Sequence, residues 1–189
     1  MKKLYTIFII LSILALTNIS YALYSRTYKI IDMDGNIHAL NVEIPNSLYN
    51  HYSSMGHSKG INDLDEFVTP ETVRPLAELL RNLYTNDEEF INQVLKFNRQ
   101  HIYNVTDACY PAETLYTRRG DCDTFSYLVA SILIAGNINS EDIVLLTWDT
   151  TEGMHMNLGV HLPNTPTQYT EGEGGLFWVT DEQTSIKYY

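Results

Sequence analysis

Along this chain the apolar positions switch between a period of two and a period near 3.6, and each switch marks an element. Residues 24–32 and 36–44 carry Tyr28, Ile30, Val42 and Ile44 on alternating positions, with Asp34-Gly35 between the runs. That pattern predicts a hairpin closed by a glycine turn. Asp32, Asp34 and Asn36 imitate the start of a calcium loop, but the later ligands and the closing glutamate are missing, so the hairpin reading stands. From Thr69-Pro70 onward, Val73, Leu76, Leu79, Leu80 and Leu83 fall at helical spacing. Thr69 is placed to cap that helix, with Pro70 in its first turn. Asn86 with Glu89 three residues later opens a second helix, whose buried stripe is Phe90, Ile91, Val94, Leu95 and Phe97. A third helix is predicted over 122–135, with Phe125, Leu128, Val129, Ile132 and Leu133 inward and Gly136 as its stop. Residues 143–148, 155–162 and 176–181 read as three strands.

Simple lengths then bring distant residues together. A helix of ~14 residues carries the chain ~21 Å from Cys122, and the strand after it returns about 20 Å. The turn at 149–154 therefore lies level with the helix start, and His155 opens the next strand there. Short loops favour antiparallel order, so the third strand brings Asp181-Glu182 back to the same level. Cysteine, histidine and carboxylate at one end of a sheet are the parts of a nucleophilic acyl-transfer site. The helix start favours a thiolate at Cys122 through its free N–H groups and dipole. His155 would take the thiol proton, and the acid would hold the imidazole in one tautomer. Asp121 and Asp123 oppose a thiolate between them, so their side chains are expected to turn away. Met156, Leu158 and Val160 share one strand face, which puts His155 on the other. Either both faces are covered, or His155 precedes the regular pleat.

Charge and composition narrow the setting. Lys2 and Lys3, an apolar run over 4–16 and Ser20-Tyr21-Ala22 form an export signal over residues 1–22. The apolar run is short of the ~20 residues that span a membrane, and an uncleaved anchor is the alternative. The remaining 23–189 make one domain, with the hairpin and first helices over 23–93 and a catalytic core over 94–189. Losing two lysines moves the net charge from -11 to -13, which argues against nucleic acid or an anionic membrane face as partner. The protein is expected to be secreted or extracytoplasmic. In an oxidising compartment a Cys109–Cys122 disulfide competes with a free nucleophile. His51 and His57 have no metal-ligand partners at a recognised spacing, and no cofactor or metal is expected.

Five blocks stand in order: Tyr110-Pro-x-Glu-Thr-Leu115, Gly120-Asp-Cys-Asp123, the apolar helix, His155-Met-x-Leu-Gly-Val160, and Glu182-x-Thr184 after Phe177-Trp-Val. From about Val94 to Thr184 the chain resembles the transglutaminase-like superfamily, in its prokaryotic cysteine-protease-like form. The resemblance implies a papain-like α+β fold, with the cysteine heading a central helix packed on an antiparallel sheet. It implies Cys122 as nucleophile and His155 as base, and its acidic-x-Thr pattern selects Glu182 over Asp181 as third member. Two positions depart from the pattern: Glu182 stands where many relatives carry aspartate, and Asp123-Thr124 where relatives commonly carry two acids. The expected function is an exported cysteine peptidase or amidase that cleaves peptide or isopeptide bonds through a thioester at Cys122. Its partner would be a protein or peptide substrate, cell-wall or cell-surface material included. Transfer of the same thioester to an amine, as in transglutaminase cross-linking, is one alternative. A non-catalytic binding module with a Cys109–Cys122 disulfide is the other.

Overall fold

A computed structural model describes residues 23–31, 35–151, 153–162, 176–179 and 187–188. The proposed signal over 1–22 lies outside the described residues, as do Asp181 and Glu182. Strands β1 (Leu23–Ile31) and β2 (Ile37–Pro45) pair antiparallel from Leu23↔Pro45 to Ile31↔Ile37. This is the expected hairpin, with Gly35 at φ +83 beside its turn. Tyr28, Ile30, Leu40, Val42 and Ile44 are buried, and the opposite face meets solvent. Helix α1 (Asn46–Ser53) and a 3-10 stretch (Ile61–Phe67) follow.

Helix α2 (Pro70–Leu83) starts at Thr69 as expected, but the Thr69 side chain makes no capping bond. The Thr72 hydroxyl instead donates to the Thr69 carbonyl at 2.8 Å. Val73, Leu76, Ala77 and Leu80 form the buried stripe, and Leu79 is 48% exposed. Leu79 was expected inside. It falls on the flank of a stripe whose inner place Ala77 takes. In helix α3 (Asp87–Asn98), Asn86 Oδ1 accepts the Glu89 N–H at 3.2 Å, and all five predicted apolar residues are buried.

After α3 the chain makes a two-residue strand β3 (Ile102–Tyr103), helix α4 (Pro111–Thr117) and a second short strand β4 (Arg119–Gly120). β3 and β4 pair in parallel, and the Asn104 N–H extends the contact by donating to the Gly120 carbonyl at 2.7 Å. Helix α5 (Cys122–Ala135) comes next, and it packs against α2, α3, α4 and strand β6 (Gly153–Leu162). It was expected to have one apolar face, yet it is buried almost all round, with Ser126 and Ser131 inside as well. Their hydroxyls are satisfied: Ser126 donates to the Cys122 carbonyl at 2.7 Å, and Ser131 accepts the Thr69 N–H at 2.9 Å. Buried hydroxyls tolerate such a position only when bonded. Gly136 ends the helix where a Cβ would overlap the Phe90 ring.

A 3-10 turn (Ser140–Asp142) leads into strand β5 (Ile143–Thr150), and β5, β6, β7 (Leu176–Val179) and β8 (Lys187–Tyr188) pair antiparallel in that order. The architecture is the expected α+β one, a helix headed by Cys122 on an antiparallel sheet. Leu158 and Val160 of β6 join Leu128, Val129, Ile132 and Leu133 of α5 in the main core. The hairpin is tied to this body through His101, whose Nε2 stands 3.1 Å from the Tyr28 hydroxyl and whose Nδ1 stands 2.9 Å from the Asn98 carbonyl. Burial pushes His101 down to about 4. The neutral ring then donates from Nδ1 and accepts from Tyr28 at Nε2.

Candidate active site at the head of helix α5

Cys122 is the first residue of α5, after Asp121 in extended conformation. Gly120 before it is required by close approach, because a Cβ there would overlap Thr124 and meet Phe125. Cys122 is half-buried and packs against a small cluster made by Phe67, Tyr110, Tyr127 and Met156. Tyr127 leans back toward the helix start, as long helical side chains do. Its hydroxyl is buried without a hydrogen-bond partner. Burial raises the Tyr127 pKa, and the negative charges of Asp123, Cys122 and Asp121 add to the shift.

The two aspartates are held by local bonds. Asp121 Oδ2 accepts the Thr106 N–H at 3.1 Å, and its Oδ1 is buried without a partner. Asp123 Oδ1 accepts from the Thr124 N–H and, at 3.1 Å, from the Thr124 hydroxyl. Burial, then Asp121 beside it, pushes the Asp123 carboxyl up to about 7. A protonated Asp123 can donate to Asp121, so the helix head bears less negative charge near neutral pH than its sequence suggests.

Cys109 approaches the same helix. Its N–H donates to Thr124 Oγ1 at 3.3 Å and its thiol to the Asp107 carbonyl at 3.2 Å. Burial, then the charge of Glu113, pushes this thiol up to about 11. Both cysteines are free thiols in this structure, so the disulfide of the alternative reading is not formed here. Glu113 itself is buried at the start of α4. It accepts the Tyr110 N–H at 3.0 Å and holds His57 Nε2 at 2.9 Å. The Glu113 cap was overlooked in the sequence, although Pro111 followed two residues later by glutamate signals a helix start.

His155 is the third residue of β6, paired with Trp148 of β5. It lies within the regular ladder, and residues 156–160 are buried on both faces of the strand. Of the two arrangements that pleat parity allowed, this is the first. Met156 faces α5 with Leu158 and Val160, and it joins the cluster against which Cys122 packs. Cys122 thus packs against Met156 of β6, while the pleat turns the side chain of the preceding His155 to the opposite face of the strand. The His155 ring turns to Asn157, with Nε2 at 3.1 Å from Oδ1. Asn157 is 7% exposed. Sequence reasoning missed it by seeking an acid, although two residues along a strand is the spacing that shares a face. Among the described residues, no group of three His, Cys, Asp or Glu could hold a metal ion. No helix among them is long and apolar enough to cross a membrane.

No family model and no curated protein sequence matches the chain. Solved structures do align with it. Legionella pneumophila LapG is similar over 76% of this chain and 75% of that one, at 17% identity and a TM-score of 0.47. An EGTA-treated form of LapG gives 18% identity, 76% and 73% coverage and a TM-score of 0.46. A calcium-bound form gives 21% identity, 76% and 74% coverage and a TM-score of 0.45. Identities this low assign no residue a role.

Proposed function

We propose that the protein is an exported thiol-dependent acyl-transfer enzyme, a cysteine peptidase or amidase of transglutaminase-like type. Cys122 is the nucleophile and His155 the base, with Glu182 orienting the ring, as the sequence resemblance implies. The observation that carries this reading is a cysteine outside any disulfide at the first residue of a buried helix, packed against Met156 of the strand that also carries His155. The helix start supplies N–H groups and a dipole that favour the thiolate and an oxyanion beside it. His155 takes the thiol proton, the sulfur attacks the carbonyl carbon of a peptide or isopeptide bond, and the protonated ring returns the proton to the leaving amine. Water then releases the acid from the thioester.

Replacement of the sulfur is the direct test. Cys122→Ala is expected to lower turnover of a broad peptide and isopeptide panel by about 10⁴-fold or more, the scale seen when a nucleophile is removed. Unchanged turnover would end the assignment. N-terminal sequencing of the exported protein tests the leader, with Leu23 as the expected first residue.

A further inference from the structure

We propose that Arg26 and Arg118 form a binding site for a phosphate-type oxyanion at the junction of the hairpin and helix α4. Tyr24, Arg26 and Tyr28 alternate along β1 and share its inner face. Helix α4 packs against this strand. Tyr116 in its last turn stacks on Tyr24, with ring centroids 4.1 Å apart. Arg118, just past the helix, holds its guanidinium carbon 5.1 Å from the Tyr28 centroid. Arg26 stands between the two tyrosines on the strand, with its guanidinium carbon 3.9 Å from the Tyr24 centroid. Both cations therefore border one seam. Burial pushes Tyr28 up to about 12, and the charges of Arg118 and Arg26 pull it the other way, which sets both within electrostatic reach of one hydroxyl.

Neither cation is matched by an acid. Ion pairs among the described residues engage Lys59, Arg74, Arg81, His57 and His161, but not Arg26 or Arg118. The chain carries 23 Asp and Glu against 12 Lys and Arg, so two neighbouring cations left without a carboxylate call for a reason. Each also buries its Nε without an acceptor. Arg118 donates from Nη2 to the Gln100 carbonyl at 2.8 Å, whereas Arg26 rests its guanidinium on the Tyr24 ring. A buried donor without an acceptor is costly, and an unplaced ion is one of its recognised explanations. Both side chains are half-exposed, so their outer nitrogens are open to a ligand. Arg118 further holds a left-handed backbone, φ 57, at a helix-ending position that favours glycine. Such a conformation points to a use for the side chain it carries. The two guanidinia lie over different rings. Donors in more than one plane suit a tetrahedral dianion better than a flat carboxylate, which one guanidinium fork would satisfy.

The test is a titration of the full chain with inorganic phosphate at neutral pH and constant ionic strength, read by NMR of the arginine Nε–H groups. Wild type is expected to show saturable shifts of the Arg26 and Arg118 resonances. Arg26→Gln and Arg118→Gly are each expected to weaken binding about 10-fold or more, the scale of a lost charge-assisted hydrogen bond. Arg118→Gly relieves the backbone while it deletes the cation, so lost binding there is not a folding defect. Arg26→Lys keeps the charge without the fork and is expected to bind between wild type and Arg26→Gln. Arg119→Gln, at an exposed neighbour, is expected to leave binding unchanged. Glycerol phosphate separates the sources: if it binds as well as inorganic phosphate, the site takes a phosphate ester on a larger molecule, and if it does not, the free ion. Either result upholds the site. The inference is overturned by the absence of saturable shifts, by acetate binding as tightly as phosphate, or by Arg119→Gln weakening binding as much as Arg26→Gln. None of these readouts involves turnover, so they stand whatever Cys122→Ala does to activity.

Discussion

Cys109 and Cys122 both lie at the start of helix α5. Burial, then the charge of Glu113, pushes the Cys109 thiol up to about 11. At pH 8 its thiolate fraction is about a hundredfold below that of an ordinary cysteine of pKa 9.0. Iodoacetamide at pH 8 is expected to label Cys109 about a hundredfold more slowly than a free cysteine peptide, read by peptide-resolved mass spectrometry. Labelling at the peptide's rate would contradict this. The placement of Cys122 was legible, because glycine, aspartate and an apolar helical run are all local signals. The partners of Glu113 and His155 were not. Glu113 meets a histidine 56 positions away, and no local pattern reports such a contact. Asn157 was in plain view at strand spacing and was passed over for chemical reasons, an acid being sought there.

Elements with a clean period and several turns or pleats were read correctly: the hairpin, α3, and the antiparallel sheet joining β5, β6 and β7. Helix α5 kept its predicted bounds but lost its expected polar side, because four neighbours surround it and serine hydroxyls can be absorbed by carbonyls. The β3–β4 ladder was beyond reach, since two residues cannot establish a period. At the far end of α5, Gly136 marks how closely the helices approach. A Cβ there would overlap the Phe90 ring, which itself carries the Arg81 guanidinium 4.3 Å from its centroid. Gly136→Ala is expected to destabilise the fold by about 1–3 kcal/mol, as overpacking does. At about 2–4 °C per kcal/mol for a chain of this size, a thermal melt should show it. An unchanged Tm would mean that Phe90 moves aside freely.

For the molecule as a whole, two buried groups pull stability in opposite directions over one pH range. His101 is held down to about 4 by burial. The unfolded chain, titrating near 6.5, binds the extra proton, so this contribution is complete above 6.5 and is lost as pH falls toward 4. Its size is about 3 kcal/mol. Asp123 is held up to about 7, so the folded chain binds the extra proton there. That contribution is complete below the ordinary carboxylate range and fades as pH rises toward 7. Asp123→Asn removes the opposing slope. Urea titrations from pH 4 to 7 are expected to show the variant gaining stability with pH more steeply than wild type, and parallel curves would refute the assignment. The convergence of the helix start and β6 was foreseeable from lengths alone. The tether of hairpin to body through His101 and Tyr28 was not, because it depends on a side-chain bond across 73 positions. The β3–β4 ladder has a practical consequence. Asn104 is exposed and begins an Asn-Val-Thr sequence, while its own N–H holds the Gly120 carbonyl and the Thr106 N–H holds Asp121. A production host that glycosylates exported proteins would attach a bulky sugar tree there, beside the cysteine-bearing helix end. Material from yeast or animal cells would then be obstructed by its own decoration, and bacterial expression is the cleaner source for every assay above.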